Sequence, residues 1–96
     1  MKPIPLNDET CGLAQSLVWF ESPETALADP LRFMAYAFAR ATHEEMKALR
    51  AYVDDADFRE ALDKAPPGII DPRSWANWNL RIGRYPAPPA PMRNFG

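Results

Sequence analysis

Cysteine, histidine and glycine are scarce in this chain, and each shortage closes off a kind of chemistry. There is one cysteine, Cys11, and one histidine, His43. A single thiol excludes an internal disulfide and fits a reducing compartment. Metal centres gather several ligands, and histidine catalysis needs positioned partners. His43 stands beside Glu44 and Glu45 at an expected helix start, where the backbone dipole disfavours imidazolium; it reads as a surface residue. Cys11, with no Cys or His near it in sequence, reads as a small half-buried residue. The four glycines are scattered and match neither the GxxxxGKS/T nor the GxGxxG spacing, so nucleotide binding has no support.

Long apolar runs are also missing. None approaches the ~20 residues needed to cross a bilayer, and the opening MKPIPLNDET lacks the apolar core of a signal peptide. The expectation is a cytoplasmic, soluble protein with no membrane role. No alternating β pattern of useful length and no internal repeat occur. The acids Asp54, Asp55, Asp57, Glu60 and Asp63 do not follow the EF-hand loop pattern; the first two fit a helix stop and cap, the others a solvated helix face. No cofactor or metal is expected. After Asp71 there is no acid at all.

Proline is what the chain has in excess, with 11 in 96 residues, about twice the usual share. With polar capping residues, the prolines mark helix starts. Asn7 or Asp8 caps a first helix through Phe20, with Leu13, Leu17 and Phe20 at helical spacing and Val18 and Trp19 widening the stripe. Ser22-Pro23 opens a short turn to Ala28, proline occupying the first helical position where its missing N–H is harmless. Asp29-Pro30 opens PLRFMAYAFARA, apolar on most sides and therefore expected at the centre of the fold; Arg32, Tyr36 and Arg40 form its only amphipathic strip. Thr42-His43-Glu44-Glu45 has capping-box form and starts a helix presenting Met46, Leu49 and Val53 inward. Asp54-Asp55 starts another, with Phe58, Ala61, Leu62 and Ala65 on the core face. Pro66-Pro67-Gly68 stops the chain, and Asp71-Pro72 caps a last helix ending near Gly83, an expected C′ glycine.

The stretch from Asp71 to Gly96, DPRSWANWNLRIGRYPAPPAPMRNFG, carries Trp75 and Trp78 three apart, four arginines and a proline-rich end. The tryptophans are expected to pack on the central helix, and Asn79 to bond a backbone group around the Pro66-Pro67 turn. Aromatic anchors with guanidinium groups are the materials of a recognition surface. The candidate protein-binding residues are Arg81, Arg84, Tyr85, Pro88, Pro91 and Arg93. Pro88-Pro89-Ala90-Pro91-Met92-Arg93 has the PxxPxR form read by SH3-like grooves; a strap laid along the chain's own domain, anchored by Tyr85, Met92 and Phe95, is an equally good reading.

Charge divides the chain. From Glu44 to Asp63 there are seven acids against Lys47, Arg50 and Arg59, while Arg73, Arg81, Arg84 and Arg93 follow Asp71 without an acid. Such a dipole steers a partner, pairs two copies head to tail, or folds a basic tail over acidic helices. Three helices between Pro30 and Ala65 raise DNA binding as a possibility, but the third carries Asp57, Glu60 and Asp63 against Arg59 and Lys64, which works against phosphate contact.

Phe33, Ala41-Thr42-His43-Glu44-Glu45-Met46, Leu49, Phe58 to Leu62 and above all PPGIIDPRSWANWNLRIGRYP resemble small prokaryotic proteins encoded beside AbiEii-type nucleotidyltransferase toxins. The resemblance covers Leu27 to Arg93 and implies a companion protein in a toxin–antitoxin or phage-defence locus; it implies no catalytic residues.

The expected fold is all-α: a small single-domain bundle of four to five short helices over residues 1–83, with an extended proline-rich C-terminal strap over 84–96. The expected function is a non-enzymatic protein-interaction module, antitoxin-like or accessory to a nucleotidyltransferase, with homodimer formation left open and nucleic acid disfavoured as a partner. The alternative is a small helical DNA-binding transcriptional regulator.

Overall fold

A computed structural model describes residues 1–90, so Pro91 and Arg93 of the expected binding set, with the Met92 and Phe95 anchors, lie outside the described residues. The described chain is all-helical and forms six helices rather than four to five: α1 Asp8–Leu17, α2 Pro23–Ala28, α3 Pro30–Arg40, α4 His43–Leu49, α5 Asp55–Asp63 and α6 Pro72–Arg81. The single turn Pro23–Ala28 counts as a helix of its own. None of the described helices is long and apolar enough to cross a membrane.

Every start follows from local chemistry. Asn7, Ser22, Asp29, Thr42, Asp54 and Asp71 each occupy an N-cap, and each side chain accepts from a backbone N–H in the first turn. These bonds satisfy donors that a helix leaves orphaned. The Thr42 box is complete, with Glu45 reaching back to the Thr42 N–H at 3.0 Å. Pro23, Pro30 and Pro72 sit in the first helical turn. At the far end of α6, Gly83 has φ +87°. Its N–H donates to Leu80 and that of Arg84 to Asn79, at 3.0 and 2.8 Å, the paired bonds of a Schellman motif.

Helix α3 is the hub and packs against α1, α2, α5 and α6, while α4 closes onto α1. Phe33, Met34, Ala35, Ala37 and Phe38 are buried along it, as expected for a helix apolar on most sides. Leu13, Leu17, Leu27, Leu49, Leu62 and Trp75 complete the core around it.

Two local expectations are corrected. α1 ends at Leu17, not Phe20: Val18 turns out of helical geometry at φ −133°, ψ 62°, leaving Trp19 66% and Phe20 50% exposed. The physical reason is tertiary: Arg40 of α3 donates to the Leu17 carbonyl at 3.1 Å, satisfying a terminal acceptor that another turn of helix would have used. Asn79 is fully buried, but its Nδ2 donates to the Trp75 carbonyl at 2.8 Å rather than to the Pro66-Pro67 turn; the helix's own preceding turn is closer than the loop.

The two tryptophans divide their labour. Trp78 packs on α3, and its Nε1 donates to the Phe38 carbonyl at 2.9 Å. Trp75 is buried, and its Nε1 donates to the Pro88 carbonyl at 2.7 Å. Residues 84–90 contain no helix or strand, and Ala87 and Ala90 pack partly buried against the core.

Candidate functional site

The cleft is assembled from four helices. The end of α3 supplies Phe38 and Arg40, α4 supplies His43, Met46 and Lys47, Arg50 follows α4, α5 supplies Asp55, Phe58 and Arg59, and α6 supplies Ser74, Asn77, Trp78 and Arg81. Its volume is about 820 Å³, within the range of ligand-binding clefts.

The floor is aromatic. Phe38 and Phe58 meet edge-to-face at 4.9 Å, and Trp78 lies 5.6 Å from each. Such geometries place positive ring edges against negative faces and add to the gain from burial. The Trp78–Phe38 backbone bond does two things at once: it occupies a carbonyl in the last turn of α3 and fixes the indole across the cleft.

The rim is cationic. Arg40, Lys47, Arg50, Arg59 and Arg81 line the cleft beside a single acid, Asp55. Arg50 pairs with Asp55; the other four make no ion pair among the described residues. Two guanidinium groups are laid on the floor, that of Arg50 4.6 Å from the Phe58 ring centre and that of Arg81 4.9 Å from Trp78. Stacking holds both groups in place; Arg50 already gives its N–H edge to Asp55, while that of Arg81 is left for a carboxylate or phosphate oxygen. His43 sits exposed on the same rim.

The four expected binding residues that are described, Arg81, Arg84, Tyr85 and Pro88, are placed differently. Arg81 lines the cleft. Arg84 instead grips Asp63 of α5 with both nitrogens; this contact holds the Asp63 carboxyl below its usual range and raises the Arg84 guanidinium. The basic end is thus folded, at this position, over the acidic helix. Tyr85 is 83% exposed, and the Pro88 carbonyl is engaged by Trp75 of the same chain. The acids of α5 are not merely solvated: Asp54 and Asp57 lie 3.1 and 3.6 Å from Lys2, and Glu60 lies 3.3 Å from Lys64.

Arg40, Lys47, Arg50 and Arg59 were missed as a set because they come from three segments, with only Lys47 and Arg50 on the same helix and its cap, and none adjoins another cation in sequence. Each is a helix-surface cation of the kind found on any solvated face. The only signal was the absence of acids near Arg81, which pointed to one fifth of the rim.

A second surface feature adjoins the rim. Trp19 and Phe20 meet at 5.5 Å, and Phe20 meets Tyr36 at 5.5 Å. Arg40 lies between Trp19 and Tyr36, 4.6 and 4.9 Å from their ring centres, and Arg32 stacks on Tyr36 at 5.3 Å while pairing with Glu21. The Arg32–Tyr36–Arg40 strip of α3 is therefore covered by the two aromatics released where α1 stops. Among the described residues, no group of three or more His, Cys, Asp or Glu is placed to hold a metal ion.

Comparison with protein-family models, with curated proteins and with solved structures finds no match to this chain.

Proposed function

We propose that this protein is a non-enzymatic interaction module that holds an acidic segment of a partner protein in the α3–α6 cleft. The observation that carries this reading is the rim of five cations to one acid above a floor of three interlocked aromatic rings. Charge complementarity of this kind sets encounter rate and specificity, and aromatic–arginine clusters supply the energetic centre of protein interfaces. The stacked arginines lose little freedom on binding, which favours affinity.

The partner implied by the resemblance is a nucleotidyltransferase-type toxin, with this chain as its antitoxin-like or accessory companion in the cytoplasm. Residues 84–90 act in this reading as a strap: Trp75 and Asp63 hold it through Pro88 and Arg84, and Tyr85 stays outward for the partner. A small helical DNA-binding regulator is the second reading, because the same guanidinium groups suit phosphate oxygens. It is weaker because α5 carries Asp57, Glu60 and Asp63 beside Arg59, acids that would repel a duplex.

Fluorescence anisotropy with a labelled Glu-rich peptide and, separately, a labelled DNA duplex tests the choice. Peptide binding that weakens about tenfold or more in an Arg59→Glu, Arg81→Glu double variant is the expected result, since two rim charges are reversed. Duplex binding far tighter than peptide binding, falling steeply as salt rises, would replace this reading with the regulator.

A further inference from the structure

The cleft and the Trp19–Phe20 shelf meet at one side chain. Arg40 lines the cleft, lies 4.6 Å from the Trp19 ring centre and is tied down by its bond to the Leu17 carbonyl at 3.1 Å. The shelf is made of two residues that folding leaves outside, Trp19 at 66% and Phe20 at 50% exposure. A single exposed apolar residue is ordinary. Adjacent exposed Trp and Phe, backed by Tyr36 and flanked by two stacked arginines, have the composition that dominates interface energetics.

We propose that cleft and shelf form one continuous site for a partner segment in which acidic residues are followed or preceded, at close range, by a bulky apolar residue. The acids lie over Arg59 and Arg81, and the apolar side chain covers Trp19. A segment crossing from one to the other passes over Arg40, and about two or three extended residues cover the length of one arginine side chain. Arg40 belongs to both features: its guanidinium is stacked on the shelf, and the residue lines the cleft. The inference rests on the acidic-partner reading above and adds to it the sequence character of the segment.

The test uses the full chain and short fluorescein-labelled peptides: one of Glu and Ser alone, and two with a Leu placed about three residues after or before the Glu block. The expected result is that one Leu-bearing peptide binds about tenfold tighter than the acid-only peptide, the loss typical of truncating an interface anchor. Trp19→Ala and, independently, Phe20→Ala lower the affinity of the Leu-bearing peptide more than that of the acid-only peptide; both residues are exposed, and circular dichroism confirms folding. Acid-only binding with no gain from Leu in either position overturns the shared site and leaves the cleft reading standing. Failure of all three peptides to bind removes both. A self-association detected by sedimentation that Trp19→Ala abolishes would assign the shelf to a second copy of the chain, and that too overturns the proposal.

Discussion

At the scale of single residues, the tryptophans carry more than apolar bulk. Trp78 closes a carbonyl of α3 and roofs the Phe38–Phe58 pair. Trp78→Phe keeps a ring but orphans the Phe38 carbonyl, and an orphaned buried acceptor costs about 1–3 kcal/mol. Urea unfolding followed by far-ultraviolet circular dichroism is expected to show that loss; an unchanged midpoint would mean that water replaces the indole at no cost. Asn79 is a different case. Its Nδ2 is satisfied by Trp75, but its Oδ1 is buried and finds no partner among the described residues.

At the scale of elements, the helices are short and rely on their ends. α4 has seven residues, too few to persist alone in water. Its capping box and the bond from Ser16 to Glu45 at 2.6 Å anchor it to α1. Thr42→Ala removes one side of the box and is expected to lower unfolding free energy by about 1 kcal/mol, with Thr42→Ser restoring it. Gly83 is the matching device at a C-terminus: nothing lies near a Cβ built there, but φ is +87°. Gly83→Ala is therefore expected to cost about 1 kcal/mol through backbone strain alone. A thermal melt unchanged by that substitution would show that the Schellman turn contributes nothing.

At the scale of the whole molecule, charges tie distant segments together. Lys2 reaches Asp54, and Arg84 reaches Asp63. The Asp63 carboxyl is held low by Arg84, that of Glu45 by the Ser16 hydroxyl and the Thr42 N–H, and that of Asp71 by Ser74. A carboxyl lowered by folding stabilises the fold above its unfolded pKa, about 4, and that stabilisation is lost as pH falls through the folded value. Melting temperature is thus expected to hold from neutral pH to about 5 and to fall below about pH 4; a maximum at pH 3 would contradict it. Arg84→Ala should lower stability by less than about 1 kcal/mol, because the pair with Asp63 is solvent-exposed.

The chain's local chemistry determined where helices begin. Asn7, Ser22, Asp29, Thr42, Asp54 and Asp71 are readable because a cap needs only its own side chain and the next few backbone N–H groups. The C′ role of Gly83 and the burial of α3 were legible for the same reason, being properties of one turn or one helix face. Tertiary structure alone decided the rest. α1 stops at Leu17 because an arginine from α3 takes its carbonyl, and no glycine or proline marks that point. Arg84 pairs with Asp63, which is far off in sequence but lies within its reach. The cleft exists only where four helices meet, and its cations became a site when packing gathered them around Phe38, Phe58 and Trp78, since electrostatic and ring contacts depend on distance in space rather than position along the chain.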